Sequence, residues 1–502
     1  MSKRWRISAV YAVAIPLALS LGILVSSPDP ITFSLLGVIL LFLASPLLLK
    51  WHHVLMVVCW NATFNFFFLP GQPDIWLLAA SVSITISAVN YFMFQKRFLR
   101  VPEMTRPLLF MAAVVIWTAS CRGGIGIKAL GASFYGGKYY VLILGAIVGY
   151  FALTADAIPV AKGGRMVEFF FLSGLTGVLG NLAYALGPGF YFLYYLVPAG
   201  MASFQVATDY GLTDIDRIVG LAPACSAVFC FLLAHYGIRG IFDWTKPWRL
   251  LFLLVTLGAS FFAGFRSMPV TLVMVFCVQF YFEGLCRTRF LPIIATVALF
   301  GLLIVVIVSD KLPPVVQRAI SFLPVKVDAD VRADAKESTE WRFQIWSIVW
   351  KDVPKYLLLG KGYGIDPTEL FLTTESIRLG LMNNWEESLL AGDYHSGPLS
   401  ILIPFGLPGL AAFLWLLGAG FWVLHSNYRY GDARLRRVNT VLLSYYSVYC
   451  IAFFLLFGAF CTQLYIFLGV VGLNVSLNGG VKRRAPMKVN SIPAPVLLEF
   501  ES

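Results

Sequence analysis

The sequence predicts an all-α polytopic membrane protein with about 12–14 transmembrane helices and one long external loop containing an amphipathic helix. Three observations carry that expectation. Of 502 residues, 59% are hydrophobic and only 13% are charged, against about 25% charged in soluble domains, and the mean hydropathy is +0.79. The apolar runs are continuous and about 16–24 residues long, the length a helix needs to cross lipid, whereas a barrel shows short alternating segments. One sizeable polar insert, residues 309–396, interrupts this apolar chain late in its course.

Met1 to Arg6 is basic and precedes an apolar run from Ile7 to Val25, which is too long for the core of a cleaved signal peptide and reads as a retained first helix. Apolar spans are expected near residues 7–26, 31–49, 54–70, 75–94, 107–120, 139–154, 166–186, 218–235, 249–265, 268–285 and 290–308, and after the insert near 397–424, 438–457 and 460–476. Residues 1–308 thus hold transmembrane helices 1–11, 309–396 form an external (periplasmic) loop with the catalytic segment, and 397–476 hold the C-terminal membrane helices. The polar, proline-containing segment 477–502 reads as a disordered cytoplasmic tail.

Charge sets the orientation. With the N-terminus inside, 23 of the 38 Lys and Arg residues fall in cytoplasmic segments and 5 in short outer loops, the rest lying in the insert. Short cytoplasmic loops gain Lys and Arg in this way, so both termini are expected to be cytoplasmic and the insert external. The same bias accounts for the formal charge of +12, and the basic residues are too dispersed for a nucleic-acid partner. Cys59, Cys225, Cys230, Cys277, Cys450 and Cys461 lie in apolar runs, and with no Cys/His metal spacing they read as small core residues. No ATP-binding loop and no internal repeat of the transporter kind is visible.

Within this frame a few polar residues stand out. Arg266 lies in GASFFAGFRSMPV, between two apolar runs with almost no loop. It reads either as an ordinary interfacial charge or as a functional one, because a cation this close to hydrocarbon is costly unless it faces a cavity or partner. Arg342 opens WRFQIWSIVWKDVPK, in which Phe343, Trp346, Val349 and Trp350 recur at helical spacing. This predicts an amphipathic helix on the outer surface with its tryptophans as anchors, ended by Pro354. Residues 309–340 ahead of it read as linker. Gly360 to Gly364 is a glycine-rich turn, a weak signal that lacks the lysine spacing of a phosphate loop.

His395 is the one histidine of five in an external segment. It precedes a helix broken by Gly397, Pro398, Pro404 and Gly406, and its ordinary pKa of about 6.5 suits a general base. His52 and His53 flank a cytoplasmic turn in this reading, and His235 and His425 cap cytoplasmic helix ends. Two arginines and a histidine on one face match the transfer of a glycan from a lipid pyrophosphate. Arginine neutralises the developing phosphate charge with a permanent bidentate fork, which dispenses with a metal, and histidine takes the proton of the attacking hydroxyl.

These residues resemble the O-antigen ligase and O-antigen polymerase (Wzy-type) superfamily of bacterial membrane glycosyltransferases. The resemblance rests on Ala259-Ser260 through Arg266-Ser267 at a helix hairpin. It continues with Arg342, Trp346, Pro354, Gly360, Gly362 and Gly364, and ends on His395 with Gly406 to Gly409. A further match is Arg217-Ile-Val-Gly220-Leu-Ala-Pro223; the family's Asn-Pro is Ala222-Pro223 here, and the asparagine that follows its histidine is Ser396.

The resemblance implies a GT-C-like helical architecture in the bacterial inner membrane and a metal-independent, inverting reaction without a cofactor. It implies an undecaprenyl-diphosphate-linked oligosaccharide as donor and a glycan or lipid-glycan as acceptor, in exopolysaccharide, O-antigen or lipopolysaccharide assembly. Arg266 and Arg342 would then hold the pyrophosphate and His395 would activate the acceptor, with Arg217, Lys138 and Tyr394 as secondary contacts and no metal ligand. Partners in that setting are membrane lipids and a chain-length regulator or flippase. The competing reading is a polysaccharide or lipid-glycan transporter or flippase, which calls for charged residues along mid-membrane helices; the orientation above leaves no Lys or Arg there.

Overall fold

A computed structural model describes residues 16, 19, 22, 30–67, 69–211, 213, 215–382 and 385–483. The expected first span, 7–26, lies almost wholly outside the described residues, as does the tail beyond 483. Among the described residues every regular element is helical, and extended pairing is limited to the isolated bridges Asn65 with Asp74 and Tyr135 with Ile365.

The helices are α1 (Pro30–Cys59), α2 (Ile75–Phe94), α3 (Pro102–Arg122), α4 (Gly137–Leu153), α5 (Val160–Leu172), α6 (Val178–Leu186), α7 (Ser203–Asp209), α8 (Leu221–Ile241), α9 (Trp248–Phe261), α10 (Ser267–Phe282) and α11 (Phe290–Val308). The insert contributes α12 (Pro314–Ile320), α13 (Ala329–Tyr356), α14 (Pro367–Arg378) and α15 (Trp385–Ala391). The chain then closes with α16 (Leu399–Tyr430), α17 (Arg436–Leu455) and α18 (Phe460–Asn478). Among the described residues eight helices are long and apolar enough to cross a membrane, and four shorter apolar ones accompany them. The protein is an all-α, multi-pass membrane protein.

From residue 75 onward each expected span has its helix. Ahead of it the spans 31–49 and 54–70 are instead one helix, α1, and residues 60–67 and 69–74 are irregular. The cause is local. Pro46 is accommodated within α1, while Asn61 donates to the Phe170 carbonyl at 2.8 Å and the Thr63 amide to the Thr176 hydroxyl at 2.8 Å. Polar groups engaged in a turn in this way cannot continue a span. His52 and His53, expected to flank a turn, therefore lie inside a helix. Merging two spans into one also removes a crossing from the count that set the side of the N-terminus.

The chain divides into Met1–Leu55 and Met56–Ser502, and the packing described here is that of the second unit. Helix α18 lies along α4, α16 along α3, α8 against α5 and α9, and α10 against α17. In lipid this association depends on close packing and buried polar contacts rather than on removal of apolar surface from water. Phe413 meets Phe460 and Phe467 edge to face, with centroids 5.3 and 5.8 Å apart. Four buried asparagines tie the ends of α16, α17 and α18: Asn427 donates to Asn474 Oδ1 at 2.7 Å, and Asn474 and Asn478 both donate to Asn439 Oδ1 at 2.9 Å. Each buried amide thereby finds a partner, which avoids the penalty of an unsatisfied one. Helix α11 differs, since it is apolar all round and none of its residues is buried in the protein, the mark of a helix whose neighbour is lipid.

The insert is helical and docked, and its segment 309–340 is structured rather than linker: α12 and the first part of α13 occupy it. Helix α13 begins well before Trp341 and continues past Pro354 to Tyr356. It buries Ile345, Val349 and Val353 against Tyr394, Leu399 and Ile403. Phe343 and Trp350 are exposed, so the stripe that faces the bundle is rotated from the aromatic one.

Candidate active site

The site is assembled where the α9–α10 hairpin, the insert and the start of α16 meet. Helix α9 ends at Phe261, and Arg266 stands at the N-cap of α10. The Arg266 guanidinium donates through Nη2 to Thr339 Oγ1 on α13 at 3.1 Å. Thr339 and Arg342 lie three residues apart on that helix, hence on one face. The sequence alone could not choose between an interfacial and an inward-facing Arg266; the bond to α13 turns it inward.

Two further arginines surround this contact. Arg318, on α12, has a side chain only 7% exposed, pairs with Asp334 through Nε, and donates through Nη1 to the Gly264 carbonyl at 3.0 Å. Arg217 lies 3.6 Å from the same carboxylate, with its guanidinium 4.5 Å above the Phe204 ring, and its buried Nε has no hydrogen-bond partner among the described residues. Asp334 is thus shared by two arginines, and Arg266 and Arg342 feel the resulting excess of positive charge. Burial, then Arg318, then Arg266 lower the pKa of Arg217 to about 10, with Asp334 opposing. Burial, then Arg318 and Arg342, lower that of Arg266 against Asp334, and burial followed by Arg318 lowers that of Arg342. Among the described residues Arg342 makes no hydrogen bond or ion pair of its own.

His395 sits beside Arg342. Its ring packs on Trp341 at 4.8 Å and on Phe457 at 5.2 Å. Its Nε2 is 3.7 Å from Asp393 Oδ2, and its buried Nδ1 has no hydrogen-bond partner among the described residues. Burial lowers its pKa, Asp393 partly restores it, and Arg342 lowers it again. The backbone at His395 is left-handed, with φ +46°, a conformation that costs a side-chain-bearing residue energy and collects at functional sites. The turn is held by Trp346, whose Nε1 donates to the Tyr394 carbonyl at 2.9 Å.

Of the residues singled out in the sequence, Arg266, Arg342 and His395 therefore converge on one turn of α13, and Arg217 joins them through Asp334. Tyr394 is buried in the core under that turn. Lys138 does not join. It donates to the Gln72 carbonyl at 3.3 Å and interacts with Asp74. The glycine-rich turn is a packing seam: the amides of Lys361 and Gly362 donate to the carbonyls of Ile403 and Pro404 at 2.7 and 3.0 Å, and Arg122 donates to the Gly360 carbonyl at 2.8 Å. Arg318 and Asp334 were missed in the sequence because they lie in the stretch read as linker, although Pro313-Pro314 ahead of Arg318 is a helix-start signal.

Among the described residues no three His, Cys, Asp or Glu side chains group together as metal ligands would. Fold and site define the class: a multi-pass helical membrane protein with a cationic cluster and a histidine at one end of its bundle. Residues 250–414 match the Wzy_C family model, O-antigen ligase, and over that stretch the chain is similar to the O-antigen ligase and polymerase superfamily. The match runs from α9 into α16 and contains Arg266, Arg318, Asp334, Arg342 and His395. It supports ligase- or polymerase-type glycan transfer in a membrane as the broad function. No curated protein matches the chain.

Proposed function

We propose that this protein transfers a glycan from an undecaprenyl-diphosphate-linked donor to a sugar hydroxyl at the outer face of the inner membrane. What supports the reading above all is the convergence of Arg266, Arg342 and His395 on one turn of α13. The acceptor oxygen attacks the anomeric carbon from the face opposite the diphosphate, and its proton passes to His395. The carbon–oxygen bond to the diphosphate breaks with its electron pair, and Arg266 and Arg342 receive the charge that develops on the leaving group. One displacement inverts the anomeric centre. Arg217 and Arg318 keep the neighbourhood cationic while Asp334 holds them in place.

The test is reconstitution. Purified protein given a lipid-diphosphate oligosaccharide should lengthen it, as a polymerase, or move it to a second acceptor, as a ligase. Arg342→Ala and His395→Ala should each lower turnover by about a hundredfold or more, the usual scale for losing a charge stabiliser or a general base. Full turnover in both variants overturns the mechanism.

A further inference from the structure

Beside the cationic turn lies a cavity of opposite character. It has a volume of about 250 Å³ and lies between α13, α14, α15 and the start of α16. Asp352, Glu369 and Glu386 line it together with a single cation, Lys361. Among the described residues none of the three carboxylates forms an ion pair or a side-chain hydrogen bond within the protein. Tyr394 also lines the cavity. The residue is only 4% exposed, and its hydroxyl, which keeps access to solvent, has no hydrogen-bond partner among the described residues. The Tyr394 phenol and the three carboxylates, two of them on exposed residues, surround an apolar floor of Val349, Leu389 and Ile403 and offer acceptors to the hydroxyls or amine of a ligand small enough for the space.

The cavity is tied to the reaction centre at both ends. Tyr394 precedes His395, and Asp352 lies ten residues beyond Arg342 on the same helix, about 15 Å along its axis. A short oligosaccharide spans that distance. We propose that the cavity is a sugar subsite for a neutral or amino-bearing pyranose ring, set back from the reacting bond, and that its carboxylates exclude rings carrying a carboxylate of their own. The assignment rests on the glycan-transfer reading above. The ring could belong to the donor or to the acceptor glycan, and its recognition chemistry is the same in both.

Binding and turnover are separated in the test. The full-length protein in nanodiscs is titrated with methyl glucosaminide, methyl glucoside and methyl glucuronide, with binding read by saturation-transfer NMR. The amine and the neutral glycoside should bind, the glucuronide at least tenfold more weakly, and Glu369→Gln/Glu386→Gln should reduce that difference to about threefold or less. Glucuronide binding equal to that of the neutral glycoside, or a preference unchanged in a variant that melts like the wild type, overturns the proposal. In transfer assays on the wild type, the neutral glycoside should compete with donor if the ring is the donor's, or with acceptor if it is the acceptor's. Competition with neither also overturns it. If the glycosides bind as described but no lipid-linked donor is turned over, the transfer reading fails while the sugar subsite stands.

Discussion

The indole N–H of Trp346 donates a 2.9 Å hydrogen bond to the backbone carbonyl of Tyr394, the residue before His395. A tryptophan that looks like a membrane anchor in the sequence is thus a brace for the one histidine at the site. The bond holds a carbonyl beside a left-handed residue, so losing it frees a turn that is strained at His395.

Trp346→Phe keeps an aromatic ring and removes only the donor. A neutral hydrogen bond contributes about 1 kcal/mol net, so turnover should fall about fivefold while the KM for donor changes little. Steady-state kinetics on both substrates checks this. An unchanged kcat would mean that the brace does not position His395.

The pH profile should report His395. Burial is the largest influence on its pKa and lowers it, Asp393 raises it and Arg342 lowers it. In the proposed mechanism His395 is the general base and works in its neutral form, so activity should be lost as pH falls through a value below the usual 6.5 or so. Asp393→Asn removes the raising influence and should move this acid limb to still lower pH. The diphosphate of the proposed donor would add negative charge nearby, so the limb in kcat should lie at higher pH than the limb in kcat/KM. A limb that stays in place in Asp393→Asn would assign the titration to another group.

The helices were legible in the sequence wherever an apolar run was uninterrupted, because length and hydropathy suffice to place a helix in lipid. The exception, α1, carries Lys50, His52 and His53 within a continuous helix, and local polarity there resembles a turn. At the site, Arg266 and His395 were legible because each is a rare polar residue at the edge of an apolar run, and Arg342 because it opens an amphipathic stretch within the insert. Arg318 and Asp334 were not, since nothing local distinguishes an arginine that reaches a carbonyl 54 residues away from a solvated one. Lys138 illustrates the converse. It has the right charge, yet its helix turns it toward Gln72 and Asp74.

Arg318 is expected to support the site through position rather than contact. Its removal leaves the Gly264 carbonyl without its donor and Asp334 with one arginine fewer. Breaking a fully buried pair costs about 3–5 kcal/mol. Because Asp334 is 38% exposed, a loss of about 1–3 kcal/mol is the fitting scale. Arg318→Ala should lower the melting temperature and raise the KM for donor more than it lowers kcat, because the hairpin carrying Arg266 loosens. Arg318→Lys should recover little, since an ammonium cannot reach two acceptors with one planar fork. Thermal unfolding in detergent and donor kinetics, measured together, distinguish this from a purely structural role, which would lower stability without the KM shift.

The seam between the insert and α16 makes the sharpest stability prediction. Gly360 has φ +81°, and a Cβ built there would stand 2.1 Å from the Pro404 carbonyl oxygen, a backbone atom that cannot swing aside. Gly406, opposite, breaks α16 with φ +63° and lets Ile403 and Pro404 present their carbonyls to the amides of Lys361 and Gly362. Gly360→Ala therefore combines an unfavourable backbone conformation with a collision, and should destabilise the insert by about 3 kcal/mol or more. Gly380 is the control: its φ is +72°, but nothing lies within 4 Å of a Cβ there. Gly380→Ala should carry the conformational cost alone, about 1 kcal/mol. Limited proteolysis of the insert in the two variants reads the difference directly. Equal susceptibility would mean that the seam does not hold the insert, and with it Arg342, against the bundle.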